Sequence, residues 1–84
     1  MLATLTDQAG AFDDFYRSEY ARALAVAYAL SGDRGAAEDV VQEAFIAAHR
    51  SWDSIGGYDK PGAWVRRVIV NQSRSAYRRR GREA

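Results

Sequence analysis

No cysteine occurs in the chain, so disulfides and thiolate zinc sites are excluded. One histidine is too few for a histidine-rich metal centre. A single proline, Pro61, leaves long stretches without a helix breaker. No apolar run approaches the ~20 residues a membrane span needs. Met1 to Gly10 lacks the basic start and long apolar stretch of a signal peptide, so the expected compartment is the cytoplasm. β-branched residues are few and scattered, and nothing alternates convincingly with period two. No nucleophile, metal-ligand set or phosphate loop accompanies the carboxylates, so neither an enzyme nor a cofactor is expected.

What is present folds. Hydrophobic residues make up 48% of the 84 residues and charged residues 27%, enough for one small domain and too little chain for two. The net charge of +1 conceals a polarity. Residues 1–59 carry ten acidic and four basic side chains; residues 60–84 carry eight basic and one acidic. Two surfaces with two kinds of partner are one reading, and the basic end suits a polyanion. A solubilising charged terminus is the other.

The apolar spacing predicts an all-α, compact three-helix bundle with helices at about 11–30, 33–52 and 61–80. Residues 1–10 are expected to be a flexible N-terminus, with a short extra turn left open. In the first helix Phe12, Phe15, Tyr16, Tyr20, Ala23, Val26, Ala27 and Leu30 share a face. Glu19 falls inside that arc, where a buried carboxylate needs a partner the sequence does not name. Gly32 suits the left-handed position after a helix, and Asp33 suits an N-cap. Ala37, Val40, Val41, Ala44, Phe45 and Ala48 make the inner face of the second helix. A loop from Asp53 to Lys60 turns at Gly56-Gly57. Pro61 opens the third helix, Gly81 is expected to stop it, and Val65, Val68, Ile69, Gln72 and Ala76 face inward.

Two outward faces are more than a plain bundle requires. Glu38, Asp39, Gln42, Glu43, His49 and Arg50 surround Ile46 on the second helix. This is either a solvated face or a docking patch with an apolar centre and polar rim. On the third helix Arg67, Asn71, Arg74 and Arg78 recur at i, i+4, i+7 and i+11, a stripe about 60° wide. Arginine forks onto phosphates and asparagine pairs with base edges. Arg66, Arg79, Arg80 and Arg82 broaden the positive field. A basic last turn explains Arg78 to Arg80 through the helix dipole, but not the arginines that begin in the first turn. Ser54, Tyr58 and Lys60 lie beside the stripe, with Tyr58 the ring best suited to stack on an unpaired base. Trp52 and Trp64 read as hydrophobic seals.

The run Ser31-Gly32-Asp33-Arg34-Gly35-Ala36-Ala37-Glu38-Asp39-Val40-Val41-Gln42-Glu43-Ala44-Phe45-Ile46 looks like a family signature. So does Trp64-Val65-Arg66-Arg67-Val68-Ile69-Val70-Asn71, with the arginines that follow. Together they resemble domain 2 (region 2) of bacterial extracytoplasmic-function (ECF) sigma factors of the sigma-70 family, over about Phe12 to Arg82. The resemblance implies that Asp39, Gln42, Glu43 and Ile46 dock on the clamp helices of the RNA polymerase largest subunit. It implies that Arg67, Asn71 and Arg74, with the loop from Asp53 to Lys60, hold the unpaired non-template strand of the promoter −10 element. In this group that loop resembles a pocket for a flipped base, whose capture offsets an unpairing cost of a few kcal/mol per step. An anti-sigma factor is implied as a second protein partner. The second helical domain of such proteins (domain 4), which reads the −35 element, has no counterpart in these residues; the reading is either an excised domain spanning 11–82, the expected case, or a naturally reduced protein. Two rivals remain: a basic three-helix domain reading duplex DNA through the major groove, and a protein adaptor whose arginines only solubilise.

Overall fold

The structure, a computed structural model, describes the backbone of residues 2–83 and the side chains of residues 9–75, 78 and 81. Four helices follow one another: α1 (Leu2–Ser31), α2 (Arg34–Arg50), α3 (Trp52–Ile55) and α4 (Pro61–Glu83). There is no strand among the described residues. The three long helices are those the spacing predicts, and α3 is an addition.

The joint between α1 and α2 is built as the sequence predicts. Gly32 takes φ +71, the left-handed conformation, and its N–H donates to the Tyr28 carbonyl at 2.8 Å. Asp33 then caps α2, its carboxylate accepting from the Gly35 N–H at 2.9 Å. A two-residue connection therefore folds α2 back along α1.

Other boundaries differ from expectation. α1 is helical from Leu2, so the stretch expected to be a flexible N-terminus belongs to the first helix. Nothing in it breaks a helix, and extending an existing helix avoids the cost of nucleation. α2 ends at Arg50 rather than Trp52, because the chain restarts as the single turn α3 where a loop is expected. Gly81 does not stop α4, which runs on to Glu83. Gly32 is the one glycine with positive φ among the described residues, so Gly81 keeps a helical backbone at only a propensity cost.

The core comprises Phe15, Ala23 and Ala27 of α1, five residues of α2 (Ala37, Val41, Ala44, Phe45, Ala48), Ile55 of α3, and Val65 and Ile69 of α4. Alanines let the helix backbones approach closely. Burying Val41, Ile55, Val65 and Ile69 contributes roughly 1.5–3 kcal/mol each. Val40, Val68 and Gln72 are half-buried, and the Ala76 side chain lies outside the described residues. Tyr16 and Leu30, expected on the inner face, are exposed. Tyr16 lies at the rim, its ring 4.8 Å from Phe45. The principal extents are 53 × 20 × 20 Å. Helices about 10 Å across cannot enclose one another in that width, so each long helix keeps an outward face.

Candidate nucleic-acid interface and docking face

Arg67, Asn71, Arg74 and Arg78 are all exposed, and none of the three guanidinium groups turns inward. Three of the four line grooves on opposite sides of α4. On the α1 side, Arg74 and Arg78 line a groove of about 310 Å³ with Leu30, Val70 and Ser73. On the α2 side, Asn71 lines a groove of about 430 Å³ with Gln72, Ser75, Asp39 and Glu43. The negative and positive faces, expected to be separate, therefore adjoin at Asn71. The side chains of Arg79, Arg80 and Arg82 lie outside the described residues.

Arg66 departs from expectation. Instead of widening the basic stripe, it donates from Nη1 to Oε2 of Glu19 at 3.0 Å. The two side chains are only 29% and 22% exposed. Glu19 thus obtains the partner its place in an apolar arc demands, from a residue 47 positions away. One signal was in the sequence: Arg66 lies about 100° round the helix from Arg67, off the stripe. Gly62 completes the arrangement. A Cβ there would stand 2.5–2.7 Å from the Glu19 carboxylate atoms, so only glycine leaves the notch the carboxylate occupies. The carboxylate also sits at the N-terminal turn of α4, the end of the dipole that favours negative charge.

Ser54, Tyr58 and Lys60 are exposed, Tyr58 at 51%. Their segment is held firmly at its start. Ile55 is fully buried, and Trp52 packs 5.0 Å from the Phe15 ring and 5.4 Å from Phe12. Gly56 is required by close approach: a Cβ would lie 2.9 Å from both the Trp52 ring and the Trp52 carbonyl. Its φ of −61 suits any residue, so left-handed backbone is not the reason. The Tyr58 N–H donates to the Ile55 carbonyl at 3.0 Å, and the Ala63 N–H to the Lys60 carbonyl at 3.1 Å. Trp64, like Trp52, packs against the core as a seal.

On α2, Asp39, Gln42 and Glu43 are exposed, and Ile46 is 47% exposed in their midst. Beside Ile46 runs a groove of about 340 Å³ lined by Phe12, Tyr16, Gln42, Phe45, His49 and Arg50. The Phe12 ring meets the His49 ring edge-on at 4.9 Å. The aromatic share supplied by α1 escapes sequence reasoning, because Phe12 and Tyr16 read as inward-facing. The Arg34–Glu38 pair at 3.0 Å is exposed and contributes little. Among the described residues no helix is long and apolar enough to cross a membrane, and no three acidic, histidine or cysteine side chains cluster to hold a metal ion.

The capped α1–α2 joint, the Ile46 patch and the exposed arginine row stand together on one helical bundle. The model of the sigma-70 region 2 family matches residues 15–83, and the chain belongs to that family. It is similar to the ECF RNA polymerase sigma factor SigE of Mycolicibacterium smegmatis, 38% identical over 81 residues. That match covers 90% of this chain and 30% of the relative, so the chain spans under a third of the relative's length. No solved structure gives a significant match.

Proposed function

We propose that this domain is the part of a sigma factor that binds core RNA polymerase through α2 and holds the unpaired non-template strand of the promoter −10 element through α4 and the loop before it. The observation that carries the reading is the pairing of two unlike exposed faces on a sigma-70 region 2 domain. One is Ile46 rimmed by Asp39, Gln42 and Glu43; the other is the row Arg67, Asn71, Arg74 and Arg78. Ile46 supplies an apolar anchor and its rim the complementary charge for the clamp helices of the largest subunit. Arginines hold phosphates, Asn71 meets a base edge, and Tyr58, with Ser54 and Lys60 nearby, meets an extruded base. Arg66 serves the fold rather than the strand. Strand separation is driven by binding energy, so the domain does no covalent chemistry, and work on core polymerase and promoter DNA would have it act in the cytoplasm. An anti-sigma factor is the second protein partner, and the aromatic groove beside Ile46 gives it an apolar surface.

A titration of single-stranded and duplex −10 oligonucleotides across salt concentrations tests the DNA half. Preference for the single strand is expected, with a log–log salt slope near −0.7 per phosphate neutralised. Tighter binding to duplex would replace this reading with a major-groove reader, and no binding to either would leave a protein adaptor.

A further inference from the structure

The Glu19–Arg66–Gly62 contact lies outside both proposed interfaces, yet it sits where the loop enters α4. Three observations converge on it. The Glu19 carboxylate accepts a charge-assisted hydrogen bond from Arg66 at 3.0 Å. It rests in a notch that any side chain at Gly62 would fill. Both charged side chains are more than two-thirds buried. The loop has two anchors: Trp52 and Ile55 at its start, and the first turn of α4 at its end. Pro61 and Gly62 belong to that turn, directly after Lys60. A shift of this turn along α1 would move Lys60 and Tyr58 together and swing Arg67, which follows on the same helix.

We infer that Glu19 is a positioning residue for −10 recognition: seated in the Gly62 notch and bonded to Arg66, it fixes the far end of the base-reading loop against α1. It touches no DNA itself. The inference rests on the −10 reading above and adds a residue on a helix to which that reading gives no DNA role. Its consequence is a separation of affinity from discrimination. Phosphate contacts by Arg67, Arg74 and Arg78 tolerate small shifts, because a field without fixed bases reads no sequence. Base contacts do not tolerate them.

The test uses the chain with a pool of single-stranded DNA randomised over a −10-length window, at a temperature where every variant is folded. The readout is the enrichment of the best sequences over the pool average, measured beside the melting temperature. In Glu19→Ala the enrichment should fall about tenfold, a factor worth ~1.4 kcal/mol, while total pool binding at low salt persists. Glu19→Gln fills the notch and still offers Arg66 an acceptor, so it should retain most of the enrichment. If Glu19→Ala fails to fold, Gly62→Ala, which expels the carboxylate from its notch, should give the same fall. Unchanged enrichment in whichever of these two variants is folded overturns the inference and leaves the −10 reading standing, because a purely stabilising contact moves only the melting temperature. If the unaltered chain enriches no sequence, the −10 reading fails and this inference with it.

Discussion

Substituting Gly62 by alanine sets two effects of opposite sign against each other. Alanine is the better helix former, and at an unstrained helical site the exchange stabilises by roughly 0.4–1 kcal/mol. Here the new methyl would stand 2.5 Å from Glu19 Cδ, well inside contact distance. The far end of the Glu19 side chain must shift, and the shift strains or breaks its hydrogen bond to Arg66. A hydrogen bond to a charged group contributes about 1.5–3 kcal/mol, and the residual exposure of both side chains favours the low end of that range. The helix-dipole contribution at the start of α4, about 0.3–1 kcal/mol, is lost too. The loss exceeds the gain, so Gly62→Ala should destabilise by about 1 kcal/mol. In a domain of this size that lowers the melting temperature by roughly 4–8 °C. In a Glu19→Ala background no carboxylate occupies the notch, and the same substitution should stabilise by ~0.5 kcal/mol. Urea melts of the four proteins, followed by circular dichroism, complete the double-mutant cycle. A Gly62→Ala effect of the same sign in both backgrounds would refute the notch.

Three further substitutions probe other parts of the molecule. Ile46→Asp should weaken binding to a peptide of the polymerase clamp helices by about 2 kcal/mol or more with helicity unchanged; retained affinity on calorimetric titration would put the docking surface elsewhere. Gly56→Ala should destabilise by roughly 1–3 kcal/mol, because the added methyl meets Trp52 ring and carbonyl atoms that the core holds in place, and chemical denaturation reads this directly. Asp33→Ala removes the α2 cap and should cost about 1 kcal/mol in the same assay, with no effect on single-stranded DNA binding.

Local signals were legible in the sequence. The period of apolar residues predicts the long helices, and Gly32 and Asp33 form the joint expected of them, because caps and left-handed turns depend on residues within a turn of one another. Ile46 projects outward as its angular position requires. The non-local features were not legible. The angular offset of Arg66 from Arg67 hinted at a different face, but that its partner is Glu19, 47 residues away, is set by the packing of α4 on α1. Gly56 resembles a turn glycine until Trp52 is seen folded beneath it. Tyr16 obeys the helical period yet lies beyond the edge of the core, a distinction set by the width of the neighbouring helices rather than by period. Gly81 carries a stop signal that its helical backbone does not use.

Between the buried Ile55 and the buried Gly62, residues 56–60 are exposed, and Gly56 alone among them is fixed by packing. Four consecutive positions, Gly57 to Lys60, thus expose their side chains to solvent, while backbone hydrogen bonds tie the stretch to both flanks. Such a stretch can be exchanged as a cassette, its composition drifting without unfolding the scaffold. Related domains could diverge there in what they recognise while keeping every helix in register.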